Sequence, residues 1–154
     1  QCAYFARQAK ASEEAVSASL LHDIGHLIDD QAPTMAGLGV IDHEALGADF
    51  LRARGFSETV ARLVTGHVAA KRYLTYAKPA YAARLSEASK GTLAWQGGPM
   101  SPDEAEAFEA DPLFGAMLAL RQWDERAKHT DLEVPDLESY REMLVRHLSA
   151  ERAT

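Results

Sequence analysis

The chain has 154 residues, enough for one compact domain with a sizeable core and too few for two comfortable ones. A net charge of −7 argues against a nucleic-acid backbone as the main partner, because that affinity comes from clustered Lys and Arg. No apolar run approaches the roughly 18–20 residues of a membrane span, no secretory leader opens the chain, and the single cysteine, Cys2, cannot form an internal disulfide, so the expected compartment is the cytoplasm.

In chain order, residues 1–10 read as the interior of a helix, with Ala3, Ala6 and Ala9 along it and no capping residue before it. Ser12 followed by Glu13 and Glu14 is a hydroxyl N-cap with first-turn acids. It starts a helix expected to carry His22, Asp23 and His26, with Leu20, Leu21, Ile24, Leu27 and Ile28 as one buried stripe. The stretch 29–39 is loop, with two acids, Pro33, Gly37 and Gly39. Asp42 is placed as the N-cap of a helix ending at Gly55, and Ser57 as the cap of one running to about Tyr76. Pro79 opens a helix through Tyr81, Leu85 and Ala88, loosened by Gly91 and closed by Gly97-Gly98-Pro99. Ser101-Pro102 starts a short acidic helix, Asp111-Pro112 one through Trp123 and Asp124, and Asp136 a last amphipathic helix to about Ser149. No stretch alternates at period two for long enough to be a strand. The fold is therefore expected to be an all-α, bundle-like single domain over residues 1–154.

Placed on these helices, His22, Asp23, His43, His67 and Asp124 are ligand-type residues from separate helices of an apolar bundle. Burying an adjacent His-Asp pair is costly unless both find strong partners, and a metal ion partners both at once. Each residue also has a plainer reading: His43 as a polar helix start, His67 as a satisfied core histidine, Asp124 paired with Arg121 or Lys128. His129 and His147 read as surface residues.

The ordered set goes further than the pair. His22-Asp23-Ile24-Gly25-His26, the run from His67 to Leu74, Ser89-Lys90-Gly91-Thr92 with Trp95-Gln96-Gly97-Gly98, and Arg121-Gln122-Trp123-Asp124 together resemble the HD-domain superfamily. The match is to its mixed-valent di-iron oxygenase branch, and within that to the enzymes that cleave the C–P bond of hydroxyphosphonates. The resemblance implies two irons, Fe(II)/Fe(III), bridged by Asp23, with His22 and Asp124 on one and His43 and His67 on the other. It also places a further ligand His three residues before Gln1. The ferric ion would act as Lewis acid on the substrate's hydroxyl and phosphonate oxygens, and O2 would be co-substrate at the ferrous ion. The product pair would be a carboxylic acid and phosphate, from a substrate with an amino or trimethylammonio group on its second carbon.

A phosphonate dianion needs cations and donors in a dry pocket. Lys71 lies one turn after His67 and His26 four residues after His22. Ser89, Thr92 and Gln96 share a helical face, and Arg121 stands three residues before Asp124. These six are the expected substrate-binding residues, with Asp23, His26 and Lys71 catalytic. Two other readings stay open at this stage: a metal-dependent HD phosphohydrolase acting on a phosphate ester or nucleotide, and a non-enzymatic HD module. No oligomeric state is legible.

Overall fold

The structure is a computed structural model, and it describes residues 1–29 and 31–151. Its organising element is α4 (Glu58–Ala77), which starts where Ser57 accepts a hydrogen bond from the Val60 N–H. Val60, Leu63, Val64, Val68 and Leu74 recur at helical spacing and are all buried, so the helix is enclosed along most of its length. Around it pack α2 (Glu13–Leu21), α3 (His43–Ala53) and α8 (Phe114–Arg126), with α7 (Pro102–Glu109) across one side. α1 (Cys2–Gln8) lies against α2 and α8, and α5 (Pro79–Arg84) follows α4 directly. α6 (Glu87–Trp95) borders the cavity described below, and α9 (Arg141–Glu151) reaches α2. Among the described residues there are no strands, only an isolated bridge between Thr34 and Val40. The all-α expectation holds.

Several local expectations need correction. The helix carrying the His-Asp pair does not continue through it: α2 stops at Leu21, His22 is its C-cap, and Ile24–Leu27 form a separate 3-10 turn. The stripe is only partly realised: Leu20, Leu21 and Ile24 pack half-buried against the core, but Leu27 is 82% exposed, and the fully buried residues of α2 are Ala15, Val16 and Ala18 with Ser17 and Ser19. The cause is tertiary. Gly25 is pressed against the first residue of α3, where a Cβ would overlap the His43 carbonyl oxygen, and the break brings the backbone to that contact. Asp42 precedes α3 but is left-handed (φ 55) and makes no side-chain cap bond. The helix opened by Pro79 is two, because Ser86 is extended and its hydroxyl accepts from the Ser89 N–H to begin α6. The last helix is likewise a 3-10 turn, Leu137–Tyr140, capped by Asp136, and then α9.

His147 is not a surface residue. It is buried, its Nε2 accepts the Ser57 N–H at 3.1 Å, and its ring stacks on Phe56. His129 is exposed, as expected. Asp30, the second acid read into the 29–39 loop, lies outside the described residues. No helix among the described residues is long and apolar enough to cross a membrane.

Candidate metal centre and substrate cavity

The break after α2 turns His22 and Asp23 toward the start of α3 and the middle of α4. Asp23 is the meeting point: its Oδ1 lies 3.5 Å from His43 Nε2 and 3.7 Å from His67 Nε2, and its Oδ2 lies 3.3 Å from His22 Nε2. His22 Nε2 is also 3.6 Å from Asp124 Oδ1, and the His43 and His67 Nε2 atoms are 3.2 Å apart. Two donors on one ion, each bonded at about 2.0–2.2 Å, sit roughly 3.0–3.5 Å from each other. The observed separations are of that order.

The imidazoles are also oriented as ligands. His22 Nδ1 donates to the Ser19 carbonyl at 3.0 Å and His67 Nδ1 to the Val64 carbonyl at 2.6 Å, which leaves each Nε2 lone pair facing the centre. His22 Nε2 is buried and makes no hydrogen bond among the described residues, and it faces two carboxylates at 3.3 and 3.6 Å, a position suited to a positive charge, whether a proton or a bound cation. His43 directs Nε2 inward while its Nδ1 faces the neighbouring Glu44 carboxylate at 3.3 Å, outside good hydrogen-bond geometry. Three imidazoles with two carboxylates form a donor set that suits iron and similar first-row ions.

Titration follows from this crowding. Burial opposes charge on His22, but the Asp124 and Asp23 carboxylates outweigh it and push the imidazole up to about 10. In the metal-free protein a proton thus stands where a cation would. Burial lowers His43 to about 4 and His67 to about 3, His26 adding to the first and His22 to the second. Burial alone would raise Asp23, yet His22, His67 and His43 hold it well below the usual carboxylate range. Cys2, on the far side of Asp124, is driven up to about 12 by burial and then by Asp124, so it stays a thiol.

His26 stands apart from the ligand set, although Asp23, His26 and His43 each bring a donor-type atom within 4.8 Å of the others. Its ring stacks on His43, with centroids 4.0 Å apart, and its Nδ1 accepts the Val40 N–H at 3.0 Å. A neutral imidazole that accepts at Nδ1 carries its proton on Nε2, so His26 offers a donor there and not a lone pair.

Beside the centre lies a cavity of about 150 Å3, lined by Asp23, His26, His43, His67, Lys71, Ser89, Thr92, Gln96, Arg121 and Asp124 among others. Lys71 is buried on the same face of α4 as His67. Its Nζ donates to Thr92 Oγ1 at 2.7 Å and Gln96 Oε1 at 2.6 Å. Among the described residues no carboxylate is within ion-pair distance of it, and burial, with the charge of Arg121, lowers it to about 8. An ammonium has three hydrogens. The third is left for the cavity, and the Gln96 amide, held by its oxygen, has its N–H donors to spare.

Arg121 has partners of its own. It lines the cavity, but its guanidinium pairs with Asp124 and with Glu125 and donates from Nε to the Tyr81 hydroxyl at 2.9 Å. It holds one oxygen of Asp124 while the other faces His22. Ser89 lines the cavity, and Thr92 Oγ1 donates to its carbonyl. Sequence reasoning missed Met35, Leu38 and Lys128 in the same lining, and Tyr81 and Glu125 behind Arg121. Met35 and Leu38 come from an irregular loop with no periodic signal, whereas Glu125 follows Asp124 directly and could have been found there.

Comparison with known proteins gives one family and several relatives. The HD domain pattern matches residues 1–113. The chain is 38% identical to an uncharacterised protein of Acanthamoeba polyphaga mimivirus, over 97% of this chain and 69% of that protein. It is 40% identical to a [1-hydroxy-2-(trimethylamino)ethyl]phosphonate dioxygenase (glycine-betaine-forming) of Leisingera caerulea, over 95% of this chain and 74% of the enzyme. It is 39% identical to a hydroxymethylphosphonate dioxygenase of Gimesia maris, over 91% and 70%.

Proposed function

The chain belongs to the HD-domain family, and on that premise we propose that it is an O2-dependent dioxygenase that cleaves the C–P bond of a 1-hydroxyalkylphosphonate, giving a carboxylic acid and phosphate. Relatives named as hydroxyphosphonate dioxygenases, about 40% identical over most of the chain, support an oxidoreductase of this kind. The observation that carries the reading is the juxtaposition of Asp23 with four further ligand-type side chains and a buried ammonium one helical turn after His67.

In this reading His22 and Asp124 would hold one iron and His43 and His67 another, with the Asp23 carboxylate available to both. The Fe(II)/Fe(III) pair would supply a Lewis acid for the substrate's oxygens and the redox capacity to use O2.

The remaining residues bind and orient. The third N–H of Lys71 donates to a phosphonate oxygen, in a pocket where a charge-assisted bond is stronger than in water. At pH 7, below its value of about 8, Lys71 keeps its proton. The Gln96 amide and His26 Nε2–H add neutral donors, so the dianion is met without moving a proton. Arg121 keeps the Asp124 carboxylate in place and is itself held by Tyr81 and Glu125.

The test is to load the protein with iron and supply hydroxymethylphosphonate, following O2 uptake and phosphate release together. One O2 consumed for each phosphate released is expected. Phosphate release under strict anoxia, or turnover of a phosphate ester instead, would count against the proposal and in favour of HD phosphohydrolase chemistry.

A further inference from the structure

The cavity lining is chemically mixed. Lys71, Gln96 and His26 bring donors to it, whereas Met35 and Leu38 bring apolar side chains. Both belong to a turn that is fixed at several points. The Met35 N–H donates to the Gly39 carbonyl at 2.7 Å, the Ile41 N–H to the Pro33 carbonyl at 2.9 Å, and the Val40 N–H to His26 Nδ1. Gly39, at φ 120, lies on the His26 ring, where a Cβ would come within 2.7 Å of Cε1. Met35 is fully buried. Leu38 is 43% exposed and reaches across to α6, where Gly91 leaves it a notch: a Cβ on Gly91 would sit 2.5 Å from Leu38 Cδ1. The Leu38 side chain therefore connects this turn to the helix that carries Thr92 and the donors beside Lys71.

We propose that Leu38, seated on Gly91 and backed by Met35, sets substrate specificity by limiting the substituent on the hydroxyl-bearing carbon. The chain then takes compact 1-hydroxyphosphonates, of which hydroxymethylphosphonate is the smallest, in preference to those with a bulky ammonium group. This rests on the C–P-cleaving reading above. With the phosphonate at Lys71 and the hydroxyl at the metal ligands, the carbon's remaining substituent has to share the cavity with Leu38 and Met35. A cavity of about 150 Å3 is small beside the roughly 300–1,000 Å3 of sites for drug-sized ligands. The two enzymes among the relatives act on phosphonates that differ at this substituent, as their names state.

The experiment compares kcat/KM of the iron-loaded full chain for hydroxymethylphosphonate and [1-hydroxy-2-(trimethylamino)ethyl]phosphonate. A preference of at least about tenfold for the smaller is expected. Leu38→Ala should cut that ratio about tenfold or more, since one methylene of pocket shape is worth about 10–200-fold, while Leu38→Met should keep it. Calorimetric binding of two unreactive probes, methylphosphonate and (2-trimethylammonioethyl)phosphonate, reads the same selectivity without turnover. A wild-type preference for the larger substrate, or a ratio that Leu38→Ala leaves within about twofold in both readouts, overturns the proposal. If no hydroxyphosphonate is turned over but the probes bind with a Leu38-dependent ratio, the assigned reaction fails and the size filter stands. If neither probe binds, both fall.

Discussion

Lys71→Met should make the protein more stable and less able to bind its proposed substrate, and both effects can be worked from the structure. In the native chain, burial and the charge of Arg121 lower the Lys71 amine from 10.5 to about 8. Each pKa unit is worth about 1.36 kcal/mol, so the buried ammonium costs about 3 kcal/mol at pH 7, where native and unfolded chains both hold the proton. Between about pH 8 and 10.5 the unfolded chain binds a proton that the native one has released. Stability therefore rises with pH across that window. Methionine has similar bulk without the charge. Its drawback is the loss of a donor to Thr92 Oγ1 and Gln96 Oε1, about 1 kcal/mol or less each, because neither residue is fully buried and the cavity admits water. A net gain of about 1–2 kcal/mol is left, or about 2–8 °C in Tm for a chain of this length.

The assay is thermal unfolding of metal-free wild type and Lys71→Met between pH 7 and 10, with and without methylphosphonate. The difference between the two proteins isolates Lys71 from every other titrating group. The variant should melt higher at pH 7, and the gap should close toward pH 10. Methylphosphonate should raise the Tm of wild type far more than that of the variant, since losing one partner of a buried charge pair costs about 2–5 kcal/mol of binding. A variant that melts below wild type at pH 7, or a gap that does not change with pH, would refute the account of Lys71 as an uncompensated buried cation.

Other consequences are open to direct measurement. Asp23→Ala removes the carboxylate shared by the proposed ligand set, so iron content should fall at both positions together; retention of one full equivalent would show that the positions are independent. Gly25→Ala would force a Cβ into the His43 backbone carbonyl, whereas Gly66→Ala would meet only the movable Met117 side chain. The first should cost about 3 kcal/mol or more and lower metal content, and the second about 1–2 kcal/mol with metal content kept, both read by denaturant titration and metal analysis. With His22 at about 10 and His43 and His67 at about 4 and 3, Fe(II) binding at pH 7 should expel about one proton, detectable with an indicator dye. Apparent metal affinity should rise with pH up to about 10, and a pH-independent affinity would contradict the stated charge on His22.

What the sequence conveys here is the long helices and the residues that lie on them. Ser57 and Ser101 announce their helices because an N-cap bond is local, and the Val60–Leu63–Val64 repeat places His67 and Lys71 on the buried face of α4. The reading fails where a non-local contact decides the backbone. Leu27 and Ile28 continue an apparent helical period after His22, yet the chain breaks there to bring Gly25 against His43. His147 sits between Arg146 and Leu148 in a polar-looking helix, and only the Ser57 N–H and the Phe56 ring, distant in sequence, explain its burial. The full set of partners that hold Arg121 is not legible either, because the Tyr81 hydroxyl that shares it comes from another helix. The Leu38 contact with Gly91 likewise joins a loop to a helix that no pattern pairs in advance.

The break after α2 and the continuity of α4 have complementary consequences for what can bind. His67 and Lys71 are four residues apart on one unbroken helix, about 6 Å along its axis, and both are buried among side chains that cannot move far. The distance from the proposed metal ligands to the ammonium is thus set by backbone geometry and not by a flexible loop. A ligand that satisfies both needs its anionic group close to the atom held at the ligands. An α-hydroxyphosphonate has it there, because one carbon carries both the hydroxyl and the phosphorus. A longer spacer between those groups would have to fold back or leave Lys71 unpaired, and an uncompensated buried ammonium is the state the ligand must relieve. The irregular segments do the complementary work: the break before the 3-10 turn places Asp23 near the histidines, and the 33–41 turn adds Met35 and Leu38 to the cavity lining. Rigid spacing then fixes the reacting group, while variation in the loop is free to change what hangs from it.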